Sequence, residues 1–286
     1  MTAPRTEPLI DTHFHLWDLA TLRRPWLDGP SGDGLDVLKR DWLPADYADL
    51  ALPLGVTAAV HVETNPAPAD ALAETLWLAR VLPDIGIPVA IVAFAAMSEA
   101  ATASLLRKQS AVPGVVGIRD ILTWHPDPAR TRMPDNDRMA DPVFRTNMAV
   151  CADLGLGFEL LISAHQAREA EALVAAFPGI EFVLEHCMVP MDHDPAGMAL
   201  WRDGLARMAD HGNVTLKISD PMAYRPDWTE AWVADIVGDC LAAFGSARAM
   251  WGSDWPVTGL NATFSDWHGM FHRAIAGLDQ TARAQI

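Results

Sequence analysis

Short apolar, β-branched runs recur along the chain at 8–15, 57–63, 88–95, 115–121, 157–163, 181–186, 214–219 and 249–254. Amphipathic or alanine-rich stretches lie among them at 68–82, 97–110, 141–154, 165–177, 196–211 and 228–244, and many end on Gly or Pro, which stops a helix. A last helix is expected over 264–286. Counted from Ile10, Thr57, Pro88, Val115, Phe158, Phe182, Val214 and Ala249, strand starts are spaced by 24 to 47 residues. Strands alternating with helices imply right-handed βαβ units and a parallel sheet. Eight units suit an α/β fold of the closed (β/α)8 TIM-barrel type, a single domain over 1–286. An open doubly wound sheet is the rival, but His13 and His15 stand where its glycine-rich phosphate turn would be. The Pro/Gly/Asp-rich segments 25–34 and 126–141 read as long loops of the kind that carry active sites on the strand-exit side.

Residues two apart on a strand share a face, and this test sorts the polar groups. Asp11, His13 and His15 share one face; His61 and Glu63, Gly117 and Arg119, and Leu184 and His186 pair likewise. So do Glu159, Ser163 and His165, then Thr215, Lys217 and Ser219, then Gly252 and Asp254. Nearly every such group falls at the carboxyl end of its strand, where barrel enzymes do chemistry. Two inward imidazoles at i and i+2 are hard to satisfy without an ion or ligand. His61 reads first as a hydrogen-bonded core residue and second as a substrate contact. Asp254 alone could cap a turn, and His165 could start the next helix and face solvent. Arg119 and Lys217 either bind a substrate carboxylate or pair with a neighbouring acid. A Cys187–His186 dyad is disfavoured, because strand neighbours point to opposite faces.

Half the 286 residues are hydrophobic, which fills a large core. A formal net charge of −16 and no run of Lys or Arg argue against a nucleic-acid or anionic-membrane partner. Three widely spaced cysteines without a CxxC pattern point to a reducing compartment. The first eight residues lack the apolar stretch of a signal peptide, and the run 87–97 is too short to cross a bilayer. A soluble cytoplasmic protein, alone or as a homo-oligomer, is expected.

Asp11-Thr12-His13-Phe14-His15, Gly117-Ile118-Arg119, Glu185-His186-Cys187, Lys217-Ile218-Ser219 and Gly252-Ser253-Asp254-Trp255-Pro256 together resemble the amidohydrolase superfamily. Within it they resemble the branch of sugar-lactone and dicarboxylate-lactone hydrolases. That resemblance implies a distorted (β/α)8 barrel in which His13 and His15 match the first-strand pair. It equates His165 and His186 with the fifth- and sixth-strand histidines, and Asp254 with the aspartate that activates water. Binuclear relatives bridge two metals with a carboxylated lysine or a glutamate on the fourth strand. Arg119 and the out-of-phase Asp120 stand there instead, which speaks against two metals. One Zn²⁺ or Mn²⁺ held by His13, His15, His186 and Asp254 is the expectation, with a metal-free site as the other form that the resemblance allows. The expected reaction is opening of an anionic or polyhydroxylated lactone. Asp254 would be the general base, with His186 and His165 as its catalytic partners. Arg119, Lys217, His125, Trp124 and His61 would contact the substrate. Non-oxidative decarboxylation of an aromatic or unsaturated acid is the alternative, and a non-catalytic sugar-acid binder is a third reading.

Overall fold

A computed structural model describes residues 8–286 apart from positions 33 and 134; the stretch 1–7, expected to hold no signal peptide, lies outside the described residues. The eight strands are β1 (Leu9–Phe14), β2 (Val56–Val62), β3 (Val89–Phe94), β4 (Val115–Ile121), β5 (Gly157–Leu161), β6 (Phe182–Leu184), β7 (Val214–Ser219) and β8 (Ala249–Gly252). They pair in sequence order, all parallel. Helices run between them: α1 (Pro44–Ala51), α2 (Ala71–Val81), α3 (Thr102–Ser110), α4 (Pro142–Leu154), α5 (Ala167–Ala176), α6 (Pro195–Ala209) and α7 (Glu230–Phe244), with α8 (Phe264–Ala274) and α9 (Gln280–Gln285) closing the chain. This is the expected (β/α)8 barrel. Two Asp-Pro pairs show how its helices begin. The Asp141 carboxylate accepts from the Val143 and Phe144 amides and Asp194 from that of Gly197, while Pro142 and Pro195 need no partner for a missing N–H.

The seam between β8 and β1 is closed at the level of the proposed site. His15 N–H donates to Trp255 O at 2.7 Å and Asp254 N–H to His13 O at 2.7 Å, while Thr12 Oγ1 donates to Trp251 O at 2.8 Å. The buried Asp11 carboxylate reinforces this seam, accepting from Ser253 N at 2.8 Å and Tyr47 Oη at 2.8 Å. Burial, partly offset by these donors, raises its pKa to about 6. Gly252 is needed because a Cβ there would lie 2.7 Å from His13 Cβ.

Four differences from the sequence reading have physical causes. The helix α1 falls inside what had no assigned element, its eight residues burying only Tyr47 and Ala51. The helix expected from 97 starts at Thr102, because side chains hold the backbone before it: Asp120 accepts from Met97 N, and Asn147 donates to the carbonyls of Met97 and Glu99. The expected final helix breaks around Gly277 into two. Finally, β6 and β8 end before His186 and Asp254, which enter left-handed turns at φ 47° and 55°. The pleat therefore does not aim these two side chains; the turns do.

Candidate active site

His13, His15, His186 and Asp254 meet at the carboxyl end of the barrel, all 5 % exposed or less. His13 Nε2 lies 3.2 Å from His15 Nε2 and 3.5 Å from Asp254 Oδ1, and His15 Nε2 lies 3.1 Å from the same oxygen. The His13 and His186 ring centroids are 4.5 Å apart. What these atoms can do depends on where the protons are. His15 Nδ1 donates to Val62 O at 2.7 Å, so its Nε2 presents a lone pair. His13 Nδ1 faces Glu185 Oε1 at 3.4 Å, which favours the proton on that side and leaves Nε2 as an acceptor too. Burial, with Lys217 and His186 adding to it, pushes the His13 pKa well below its usual value, so the ring is neutral. Two imidazole lone pairs and a carboxylate oxygen thus converge with no donor between them. Such a set needs a proton or a cation at its centre, and its ligand atoms lie within 4.8 Å of one another, as a single divalent ion requires.

His186 is placed by an unusual backbone. Four successive non-glycine residues, His186 to Val189, are left-handed, a conformation that costs an L-residue about 1 kcal/mol or more. Surrounding structure holds the turn: Trp201 Nε1 donates to Cys187 O at 2.7 Å, and Met188 occupies space that a Cβ on Gly204 would take. His186 Nδ1 lies 2.8 Å from Ser219 Oγ, whose hydroxyl can donate and leave the His186 Nε2–H for the cavity. Burial lowers the His186 pKa despite the opposing charges of Asp254 and Glu185, so this ring is neutral as well.

Beneath the histidines runs a buried ionic chain. Arg119 binds Glu63 Oε1 at 2.5 Å and Glu185 Oε2 at 3.2 Å, and Lys217 binds Glu159. Burial opposes ionisation of Glu185, but the Arg119 guanidinium outweighs it and holds the carboxyl at about 2. Burial raises Glu159, with Lys217 pulling the other way. Arg119 stays charged because Glu185 and Glu63 more than offset its burial. Both cations expected to hold a substrate carboxylate are therefore neutralised by the protein itself. Asp120 points to the other side, bound by Arg138 at 2.7 Å, and does not join the histidines.

Four further candidates lie elsewhere. His61 is fully buried, and its Nε2 accepts from the Leu16 amide at 2.8 Å, fixing the chain after β1 rather than meeting a substrate. His165 and His125 both bind Asp192 through Nε2, at 2.8 and 3.2 Å, and Arg130 joins that carboxylate at 2.6 Å. His165 is thus drawn to the rim by Asp192, because the chain after β5 turns into a short helical turn instead of extending the strand. Trp124 is tied by its backbone to Gln166 and Ser163, and neither it nor His125 lines the central cavity. That cavity, about 330 Å³, has His15, His186, Asp254 and Arg119 at its floor. Its walls include Trp17, Trp26, Asn65, Arg132 and Tyr224, none of which the strand pattern indicates, since all lie in loops or turns.

Comparison with known proteins follows the same line. Residues 10–286 match the amidohydrolase family. The chain is 30% identical over 282 residues to the uncharacterized protein y4mH of Sinorhizobium fredii, covering 97% of this chain and 95% of that one. It is 26% identical over 265 residues to an L-fucono-1,5-lactonase of Burkholderia ambifaria, covering 90% and 83%. The fold is that of a Burkholderia multivorans amidohydrolase crystallised with bound zinc, at TM-score 0.82 and 23% identity, with 98% and 96% of the chains covered. Among the described residues, no helix is long and apolar enough to cross a membrane.

Proposed function

The chain belongs to the amidohydrolase family, and from that premise we propose that it is a lactonase, acting as one domain over 1–286 and opening a cyclic ester with water activated by Asp254. The observation that carries this reading is the convergence of two unprotonated imidazole nitrogens on Asp254 Oδ1 at the floor of a cavity. The lactonase relative at 26% identity supports the choice of ester. His13 Nε2, His15 Nε2 and Asp254 Oδ1 would hold one divalent cation, zinc or manganese, with His186 beside them. Bound there, it supplies Lewis acidity to the ester carbonyl and acidifies water.

The chain's own groups account for the remaining steps. Asp254 Oδ2 has no hydrogen-bond partner among the described residues, so it can take a proton from water as the oxygen of that water bonds to the carbonyl carbon. His186 Nε2–H donates to the carbonyl oxygen as charge builds there. The ring C–O bond then breaks, and the proton held on Asp254 passes to the departing oxygen, leaving a hydroxy acid. The Glu185–Arg119–Glu63 chain keeps its protons fixed and orients His13. Cytoplasmic location, an action on small molecules rather than nucleic acid, and self-association where it occurs are parts of the same proposal.

The test is a panel of lactones and carboxylic acids given to purified protein of measured metal content. Acid formed from a lactone is the expected result. Release of CO2 from an unsaturated or aromatic acid, with no lactone opened, would replace this reading by the decarboxylase one.

A further inference from the structure

The walls of the cavity differ in character. Trp17, Leu27 and Leu38, with Trp26, Leu35 and Leu260 against them, form an apolar cluster separate from the main core. It is built from the chain between β1 and α1 and from the turn after β8, and most of it faces the cavity. Its position is fixed: Trp17 and Trp42 exchange backbone hydrogen bonds at 2.9 Å, and Trp17 Nε1 donates to Arg40 O at 2.8 Å. The opposite side is polar, with Thr64, Asn65, Arg119, Arg132 and Tyr224. Arg119 is neutralised by Glu63 and Glu185. Arg132 has no carboxylate partner among the described residues, and it stands with Tyr224 between the cavity and a more open groove of about 630 Å³. Its backbone is anchored, since Arg132 N and Met133 N both donate to Thr123 O, at 3.1 and 3.0 Å. The Tyr224 ring lies 6.2 Å from that of His186, beside the reacting centre.

We propose that the substrate is a lactone with an apolar alkyl or aryl substituent and a single carboxylate. The substituent lies on the tryptophan–leucine wall, and the carboxylate on Arg132 with the Tyr224 hydroxyl. A sugar lactone would set some of its ring hydroxyls against Trp17, Trp26 and Leu260, where both indole N–H groups are already bonded to backbone carbonyls, and each hydroxyl left unpaired there would lower affinity. A dicarboxylate would bring a second charge for which, among the described residues, the cavity lining offers only the already paired Arg119, in a protein of formal net charge −16. This specificity rests on the lactonase reading, and the experiment separates the two.

The protein, metal-loaded, is given six-membered lactones: unsubstituted, with lengthening alkyl chains, with the same chains and one carboxylate, a sugar lactone and a pyrone dicarboxylate. We expect kcat/KM to rise about threefold to fourfold for each methylene that reaches the wall. Leu260→Gln should flatten that slope, with circular dichroism confirming the fold. Arg132→Gln should lower kcat/KM for a carboxylated lactone relative to its uncharged parent by about tenfold or more. A sugar lactone or dicarboxylate preferred over the alkyl series would overturn this specificity and leave the lactonase reading standing. Failure to open any lactone would overturn both.

Discussion

Two clusters of the same residue types sit a few loops apart: His13, His15 and Asp254 at the barrel floor, and His125, His165 and Asp192 at the rim. Residue identity does not separate them; the far nitrogen of each imidazole does. At the floor, Val62 O takes the His15 Nδ1 proton, so Nε2 is left as a lone pair facing Asp254. At the rim, the Asp127 amide donates to His125 Nδ1 at 3.0 Å, which puts the proton on Nε2, where Asp192 accepts it. The first arrangement lacks a central proton or ion; the second is already satisfied. Only a neutral imidazole with a free, inward lone pair is a ready ligand, so the backbone group behind a histidine decides whether it binds a ligand or staples loops.

The largest expected effect falls on the floor. Asp254→Asn should reduce kcat on any lactone substrate about a thousandfold or more, with circular dichroism and melting temperature close to those of the parent. The backbone amide of residue 254, which donates to His13 O and ties β1 to the turn after β8, and its carbonyl, which accepts from Thr258 N, survive the change. Activity within tenfold of the parent would remove Asp254 from the role of base. Next in size is the contrast in metal binding. Elemental analysis should find one divalent ion per chain, lost in His15→Gln and kept in His125→Gln; chelation should abolish turnover, and zinc should restore it in the latter variant alone. Two ions per chain, or loss through the rim variant, would erase the distinction drawn between the clusters.

The strand pattern made the barrel legible because a parallel sheet buried on both faces repeats one signal eight times. It also pointed to His13 and His15, since β1 contains the first and ends one residue before the second. It was less informative wherever a side chain acts from beyond a strand. His186 and Asp254 arrive through left-handed turns, so strand alternation points them inward for a reason that their backbone does not follow. His165, assigned by extending β5, was drawn to Asp192, a residue of the loop after β6 that no periodicity marks. Arg119 and Lys217 were visible as inward cations, but Glu63, Glu159 and Glu185, the acids that neutralise them, come from three other strands or strand ends. Such pairing across the barrel is a property of register and closure, which one chain read in order does not display.

Glu74 in the interior and Asp192 at the rim shift in opposite directions, and pH exposes the difference. Glu74, fully buried against Arg24 and Thr64, has its pKa raised to about 7 by burial and by the nearby Glu63, with Arg24 opposing. The folded chain holds that proton longer than the unfolded one, so the stabilisation is complete below about 4.5 and fades as pH rises through about 7. Glu74→Gln should therefore gain on the parent over this window, by at most about 3 kcal/mol in denaturant titrations; a constant difference across pH would show that the carboxyl ionises freely in the fold.

Asp192 is the smallest and opposite case. Its partial burial raises its pKa slightly, but hydrogen bonds from His165 and His125 outweigh that and hold the carboxylate below its usual value of 3.8. Its stabilisation is present above that value and is lost as pH falls through the lowered one. Half-open ion pairs contribute about 1 kcal/mol or less. Asp192→Asn should thus lose about that much from pH 5 to 8 and converge with the parent only in strong acid, while turnover changes less than threefold. A loss of kcat as large as that of Asp254→Asn would mean that the rim cluster takes part in the chemistry.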